Sequence, residues 1–99
     1  MTNSIMQADK THCALCGQVA NGDPLDKHHI FGAYNRKWSE KYGLTVYLHH
    51  NKCHIFGKDA VHQNRGTDEM LKTAAQIKAM QYYGWTVEDF RAIFGKSYI

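Results

Sequence analysis

The 99-residue chain has no apolar run long enough to cross a bilayer, which takes about 20 predominantly apolar residues. It has no signal-peptide pattern either: Met1 to Met6 reads Met-Thr-Asn-Ser-Ile-Met, polar rather than basic and then apolar. No internal repeat, low-complexity tract or linker divides it, so a single domain is expected. Cysteines are few and odd in number, three in all, which excludes a framework in which every cysteine pairs within the chain. Charge of one sign does not dominate. The formal net charge of +3 is compatible with a nucleic-acid partner but does not identify one. These absences lead us to expect a reducing, cytoplasmic setting and no membrane partner.

What is abundant is histidine. Six of the seven fall between His28 and His62, in His28-His29, His49-His50, His54 and His62. Histidine is a common metal ligand and the side chain best suited to general-base work near neutral pH. A hydrophobic content of 43% supplies a modest core. A domain this small often needs a staple, and a structural metal is one.

The remaining text reads as an α+β fold. Residues 1 to 11 form a loose polar lead-in, and Asn21-Gly22-Asp23-Pro24 is a turn. Leu25 to Phe31 reads as a short strand that puts His28 and His29 on opposite faces. Asn35 to Tyr42 is a short helix with Trp38 and Tyr42 on one face, ended by Gly43. Leu44 to Leu48 is a strand by alternation and β-branching. A helical turn follows from about Lys52 and is interrupted near Gly57. Thr67 is read as the N-cap of a long helix ending at Gly84. Its apolar stripe is Met70, Ala74 and Ile77, widened by Leu71, Ala75 and Tyr82. Thr86 starts a last helix that carries Val87, Phe90, Ile93 and Phe94 on one face and ends at Gly95.

Two constellations carry chemistry. Cys13-x-x-Cys16-Gly17 has the form of a zinc knuckle, and Cys53 supplies a third thiolate from a second one. His50 is the preferred fourth ligand because His50-Asn51-Lys52-Cys53 keeps the two-residue gap; His49, one residue further, is the alternative. The second constellation is His28, His29, His54 and His62. Hydrolysis of a phosphodiester needs an activated water and a Lewis acid on the phosphate, and neutral imidazoles can hold the metal while another takes the proton. Any one of these histidines alone would read as a surface or capping residue. Arg36 and Lys37 lie on the helix between the strands, where they could hold DNA phosphates, and Arg65 also flanks the histidines. An ordinary solvated helix with Trp38 in the core is the bland alternative.

In order, Cys13-x-x-Cys16, His28-His29, Leu44 to Leu48, Cys53-His54 and His62 resemble the HNH nucleases of the ββα-metal class. The wider text, including His28-His29-Ile30-Phe31-Gly32 and Ile93-Phe94-Gly95-Lys96-Ser97-Tyr98-Ile99, is similar to small phage or prophage HNH proteins. The resemblance implies a DNA endonuclease or nicking enzyme with a structural Zn²⁺ and a catalytic divalent metal (Mg²⁺, Mn²⁺, Ni²⁺ or Zn²⁺). It makes His29 the general base and His28, His54 and His62 metal ligands. DNA is the implied substrate, and phage packaging or recombination proteins are candidate partners. His62 lies eight residues after His54, about 12 Å along an unbroken helix, so residues 55–60 must loop out, as Gly57 permits. The family's middle asparagine falls near Leu44, leaving a backbone carbonyl, Asn35 or Asn51 to orient His29. The competing reading is a non-catalytic zinc-stabilised module that binds nucleic acid.

Overall fold

The structure is a computed structural model that describes residues 3–99. Strand β1 (Leu25–His29) pairs antiparallel with β2 (Thr45–His49), in a register that sets Leu25 opposite His49 and His29 opposite Thr45. Residues facing each other across such a pair share a side of the sheet. Asp26 and His28 therefore share one side with Leu48 and Val46, while His29 takes the other with Thr45. The two strands stop at a histidine each, so the β1 strand is two residues shorter than the sequence suggests.

The strands are joined by a 3₁₀ turn (Ala33–Asn35) and helix α1 (Arg36–Tyr42). Buried Ser39 ties α1 to the end of β1: its hydroxyl donates to the Phe31 carbonyl at 2.7 Å and accepts from the Phe31 N–H at 3.0 Å. Gly43 ends α1 with φ at 72°, a left-handed conformation that disfavours any side chain. A Cβ there would also run into the Asn3 carbonyl. Asn3 belongs to a stretch expected to be a loose lead-in. It is instead laid along the open edge of β2: Ile5 N–H donates to Gly43 O at 2.9 Å, and Tyr47 N–H to the Gln7 side chain at 2.8 Å. A two-stranded sheet leaves unpaired backbone groups at its edges, and this segment satisfies several of them. Met1 and Thr2 of the same reading lie outside the described residues.

Beyond β2 the chain makes one wide π-helical turn (His50–Ile55). The Asp23 carboxylate accepts from the N–H groups of Asn51 at 2.8 Å and Lys52 at 2.9 Å, closing the start of that turn. Helix α2 (Arg65–Tyr83) begins earlier than expected. Its cap is Asn64, whose side chain accepts from Thr67 N–H at 3.1 Å, so Thr67 lies inside the first turn. Its buried face is Leu71, Ala75, Gln76 and Ala79. Of the expected stripe, Leu71 and Ala75 are buried, whereas Met70, Ala74, Ile77 and Tyr82 are exposed, Met70 at 55% and Tyr82 at 62%. The reason lies at the C-terminus. Gln76 accepts from Tyr98 N–H and donates to Ser97 Oγ, and Thr73 donates to the Tyr98 carbonyl. The final residues thus pack on the polar side of α2 and rotate its small-residue face inward. Helix α3 (Val87–Phe94) starts with the Thr86–Asp89 capping box. It buries Phe90 and Phe94 against Phe31, at ring-centroid distances of 5.5 and 4.6 Å. Among the described residues no helix is long and apolar enough to cross a membrane.

Candidate metal centres

The first centre joins the two ends of the sheet region. In the Cys13–Gly17 loop, Gly17 N–H donates back to the Cys13 carbonyl at 2.9 Å, with φ of Gly17 at 74°. Ala14 N–H donates to Tyr47 O at 2.8 Å and docks this loop on β2. The donor atoms of Cys13, Cys16, His49 and Cys53 all lie within 4.8 Å of one another. The fourth donor brought into this cluster is thus His49, not the expected His50. The correction follows from strand geometry: β2 runs through His49, so alternation sends His49 and His50 to opposite sides. His49 meets the knuckle, with Nδ1 at 3.3 Å from Cys16 Sγ, while His50 meets Asp26.

The donor set fits zinc. Around a tetrahedral ion with bonds of about 2.0–2.3 Å, a nitrogen and a sulfur ligand lie roughly 3.5 Å apart, close to the 3.3 Å seen here. His49 Nε2 faces the Val19 carbonyl at 2.9 Å, which assigns the proton to Nε2 and leaves Nδ1 as the ligand atom. Burial opposes the Cys13 thiolate, but backbone N–H groups of Cys16, His49 and Leu15 outweigh it and hold Cys13 at about 6. Burial, and then Cys13 and Cys16, push Cys53 up to about 12. Three sulfurs this close resist joint ionisation unless a cation offsets them.

The second centre is a cleft of about 650 Å³. His28 reaches it from β1, His54 from the π turn, and His62 from the loop before α2. Their donor atoms also lie within 4.8 Å of one another. The Nε2 atoms of His54 and His62 are 3.2 Å apart, close to the roughly 3.3 Å expected for two imidazoles on one tetrahedral ion. His62 gets there as the spacing requires. The chain loops out over residues 56–60, and the N–H groups of Val61 and His62 return to the carbonyls of Cys53 and His54 at 3.0 and 3.1 Å. Gly57 is obligatory, because a Cβ there would overlap the Lys52 carbonyl. His28 Nε2 is buried without a hydrogen-bond partner. Burial, followed by the proximity of His54 and His62, pushes His28 down to about 3 and keeps its ring neutral. A buried, neutral and unpartnered imidazole facing two others fits a cation.

His29 lines the same cleft from the other side of β1. Its Nε2 lies 3.7 Å from Glu40 Oε1, and Glu40 is held in turn by Lys27 Nζ at 2.8 and 2.9 Å. Burial and then Arg36 lower the pKa of His29, against the opposing effect of Glu40. Glu40 occupies the place expected of Asn35 or Asn51. Neither asparagine lines the cleft, and the Asn35 side chain donates instead to the Phe94 carbonyl. The Leu44 carbonyl accepts from Ile30 N–H.

The basic residues divide. Arg36 lines this cleft and also an adjoining one of about 430 Å³, which Lys37 lines with Tyr34. Lys37 Nζ sits 5.2 Å from the Tyr34 ring centroid and 4.9 Å from that of Trp38. Arg65 stands outside both clefts, 90% exposed at its side chain and paired with Glu69 at 3.0 Å. Lys72 was missed by sequence reasoning. It reaches the histidine cleft from α2, bound to Asp68 at 2.8 Å, and only the fold of α2 over β1 brings it there. No protein-family model, curated protein or solved structure matches the chain.

Proposed function

We propose that the chain is a metal-dependent nuclease of the HNH type that hydrolyses phosphodiester bonds in DNA, stapled by zinc on Cys13, Cys16, His49 and Cys53. The observation that carries this reading is the convergence of His28, His54 and His62 in a cleft that also holds His29 and is rimmed by Lys27, Arg36 and Lys72. A divalent ion bound by three neutral imidazoles would polarise a phosphoryl oxygen and keep open positions for substrate. Lys27 and Lys72 are paired with Glu40 and Asp68, so Arg36 is the rim cation left to meet a backbone phosphate. His29 is the general base. Its lowered pKa leaves it unprotonated at neutral pH, and with Nε2 turned toward Glu40, Nδ1 is the nitrogen left to take a proton from water.

The test is incubation of purified protein with supercoiled plasmid across Mg²⁺, Mn²⁺, Ni²⁺ and Zn²⁺. Wild type is expected to nick or linearise the plasmid. His29→Ala should lose about 10²- to 10⁴-fold in rate while calorimetry finds metal binding unchanged. A wild type that binds DNA without cutting it with any of these ions would replace the enzyme by the zinc-stabilised binding module.

A further inference from the structure

Asp26 lies two residues before His28 on the same side of β1 and lines up with neither donor set of four or three described above as a ligand. Its Oδ2 accepts from His50 Nδ1 at 2.5 Å and from His54 Nδ1 at 2.9 Å. The three donors form a cluster tight enough to be considered for a metal ion of their own. The distances decide against it. Two ligands on one tetrahedral ion with bonds near 2.0 Å sit roughly 3.3 Å apart, as His54 and His62 do at 3.2 Å. Separations of 2.5 and 2.9 Å are those of charge-assisted hydrogen bonds.

We propose that Asp26 is the positioning residue of the histidine site, holding His54 in the tautomer whose Nε2 lone pair faces the ion. The imidazole of His54 is engaged at both ends: Nδ1 donates to Asp26, and Nε2 faces His62 Nε2. A free neutral imidazole can carry its proton on either nitrogen, and only one of the two tautomers can ligate through Nε2. The carboxylate selects that tautomer, fixes the ring plane and raises the basicity of the ligand atom. His50, half exposed on the same oxygen, is the second donor that pins the carboxylate in place. The inference rests on the divalent-ion part of the proposed function and is independent of whether DNA is cut.

The probe is Co²⁺, added to protein whose knuckle is already loaded with zinc and followed by visible absorption. Wild type is expected to bind one Co²⁺ at the histidine site. Asp26→Ala should weaken that binding about 10- to 100-fold, with Asp26→Asn, whose amide oxygen still accepts an N–H, in between. His50→Ala, which removes only the second donor to the carboxylate, should weaken binding less than Asp26→Ala does. In a His54→Ala background, Asp26→Ala should cost nothing further, because the carboxylate acts only through His54. Unchanged Co²⁺ affinity in Asp26→Ala, an equal loss in the His54→Ala background, or a wild type that binds no Co²⁺ at this site overturns the assignment. Should Asp26→Ala not fold, Asp26→Asn decides by the same comparison with wild type. The predicted losses in a protein that cuts no plasmid would uphold Asp26 and remove the nuclease reading.

Discussion

Cys53 and His54 are neighbours in one π-helical turn, yet they belong to two donor clusters of opposite kinds. The knuckle has four donors, three of them thiols, and Cys13, His49 and Cys53 are all buried. The cleft has three donors, all imidazoles, with His62 exposed to solvent. A closed tetrahedral set of soft ligands leaves no position for a substrate and suits a staple, whereas three neutral ligands at an open cleft leave positions free. The difference teaches that donor count and access, more than the presence of donors, separate a cluster suited to a closed ion from one that would leave positions open.

Removing the staple should break the comparison most severely. Structural zinc contributes about 10–16 kcal/mol of binding free energy in small zinc-binding units, comparable to the roughly 5–15 kcal/mol net stability of a whole domain. Cys16→Ser is therefore expected to release zinc to a chromophoric chelator and abolish the cooperative melting transition. His49→Ala should behave alike, while His50→Ala keeps its zinc. Retention of zinc and melting temperature in His49→Ala would return the fourth position to His50.

A smaller effect is expected at Gly57, where the question is whether both sites depend on one turn. Gly57→Ala would force a Cβ into the Lys52 carbonyl. Overpacking of this kind costs about 2 kcal/mol, a fall of roughly 10 °C in melting temperature. Because Lys52 precedes both Cys53 and His54, affinity should drop at the zinc site and the histidine site together. A change confined to one of them would show that the turn does not couple them.

The finest distinction concerns pH. The folded His29 pKa lies below the ordinary histidine value of 6.5 because burial and Arg36 disfavour the imidazolium. The metal-saturated cleavage rate should hold its plateau as pH falls through 6.5 and decline only below it. Arg36→Ala removes one of the lowering influences, burial and Lys27 being the others, so the decline should move to higher pH, with single-turnover kinetics as the measurement. An acid limb left in place by Arg36→Ala would take the base assignment away from His29.

Much of this architecture is legible in the chain itself. Gly43, Gly84 and Gly95 end helices in the left-handed conformation that their positions suggest. Thr86 opens α3 as its position suggests, and the looping-out that the His54–His62 spacing demands occurs around Gly57. The choice between His49 and His50 was not legible, because it depends on which residue ends β2, and a one-residue shift exchanges the two sides of a strand. The inward face of α2 was legible only in Leu71 and Ala75, for a different reason. Met70, Ala74 and Ile77 make as regular a stripe as Leu71, Ala75 and Ala79, and only the return of Ser97 and Tyr98 onto Gln76 picks between them. Lys72 reaches the cleft, and Glu40 meets His29, through tertiary contacts that no local pattern records.

The adjacency of Cys53 and His54 also shapes the electric field around the cleft. Zinc binds thiolates, not thiols, so three sulfurs outweigh one dication and the filled knuckle carries a net negative charge. A single peptide bond away, that charge favours a second dication beside His54 and disfavours an incoming phosphate from the same direction. On the cleft rim Lys27 is paired with Glu40 and Lys72 with Asp68, which leaves Arg36 as the rim cation with no carboxylate partner among the described residues. With zinc bound, the knuckle would set a negative charge beside the histidines, and Arg36 would be the group left to meet an anion at the cleft.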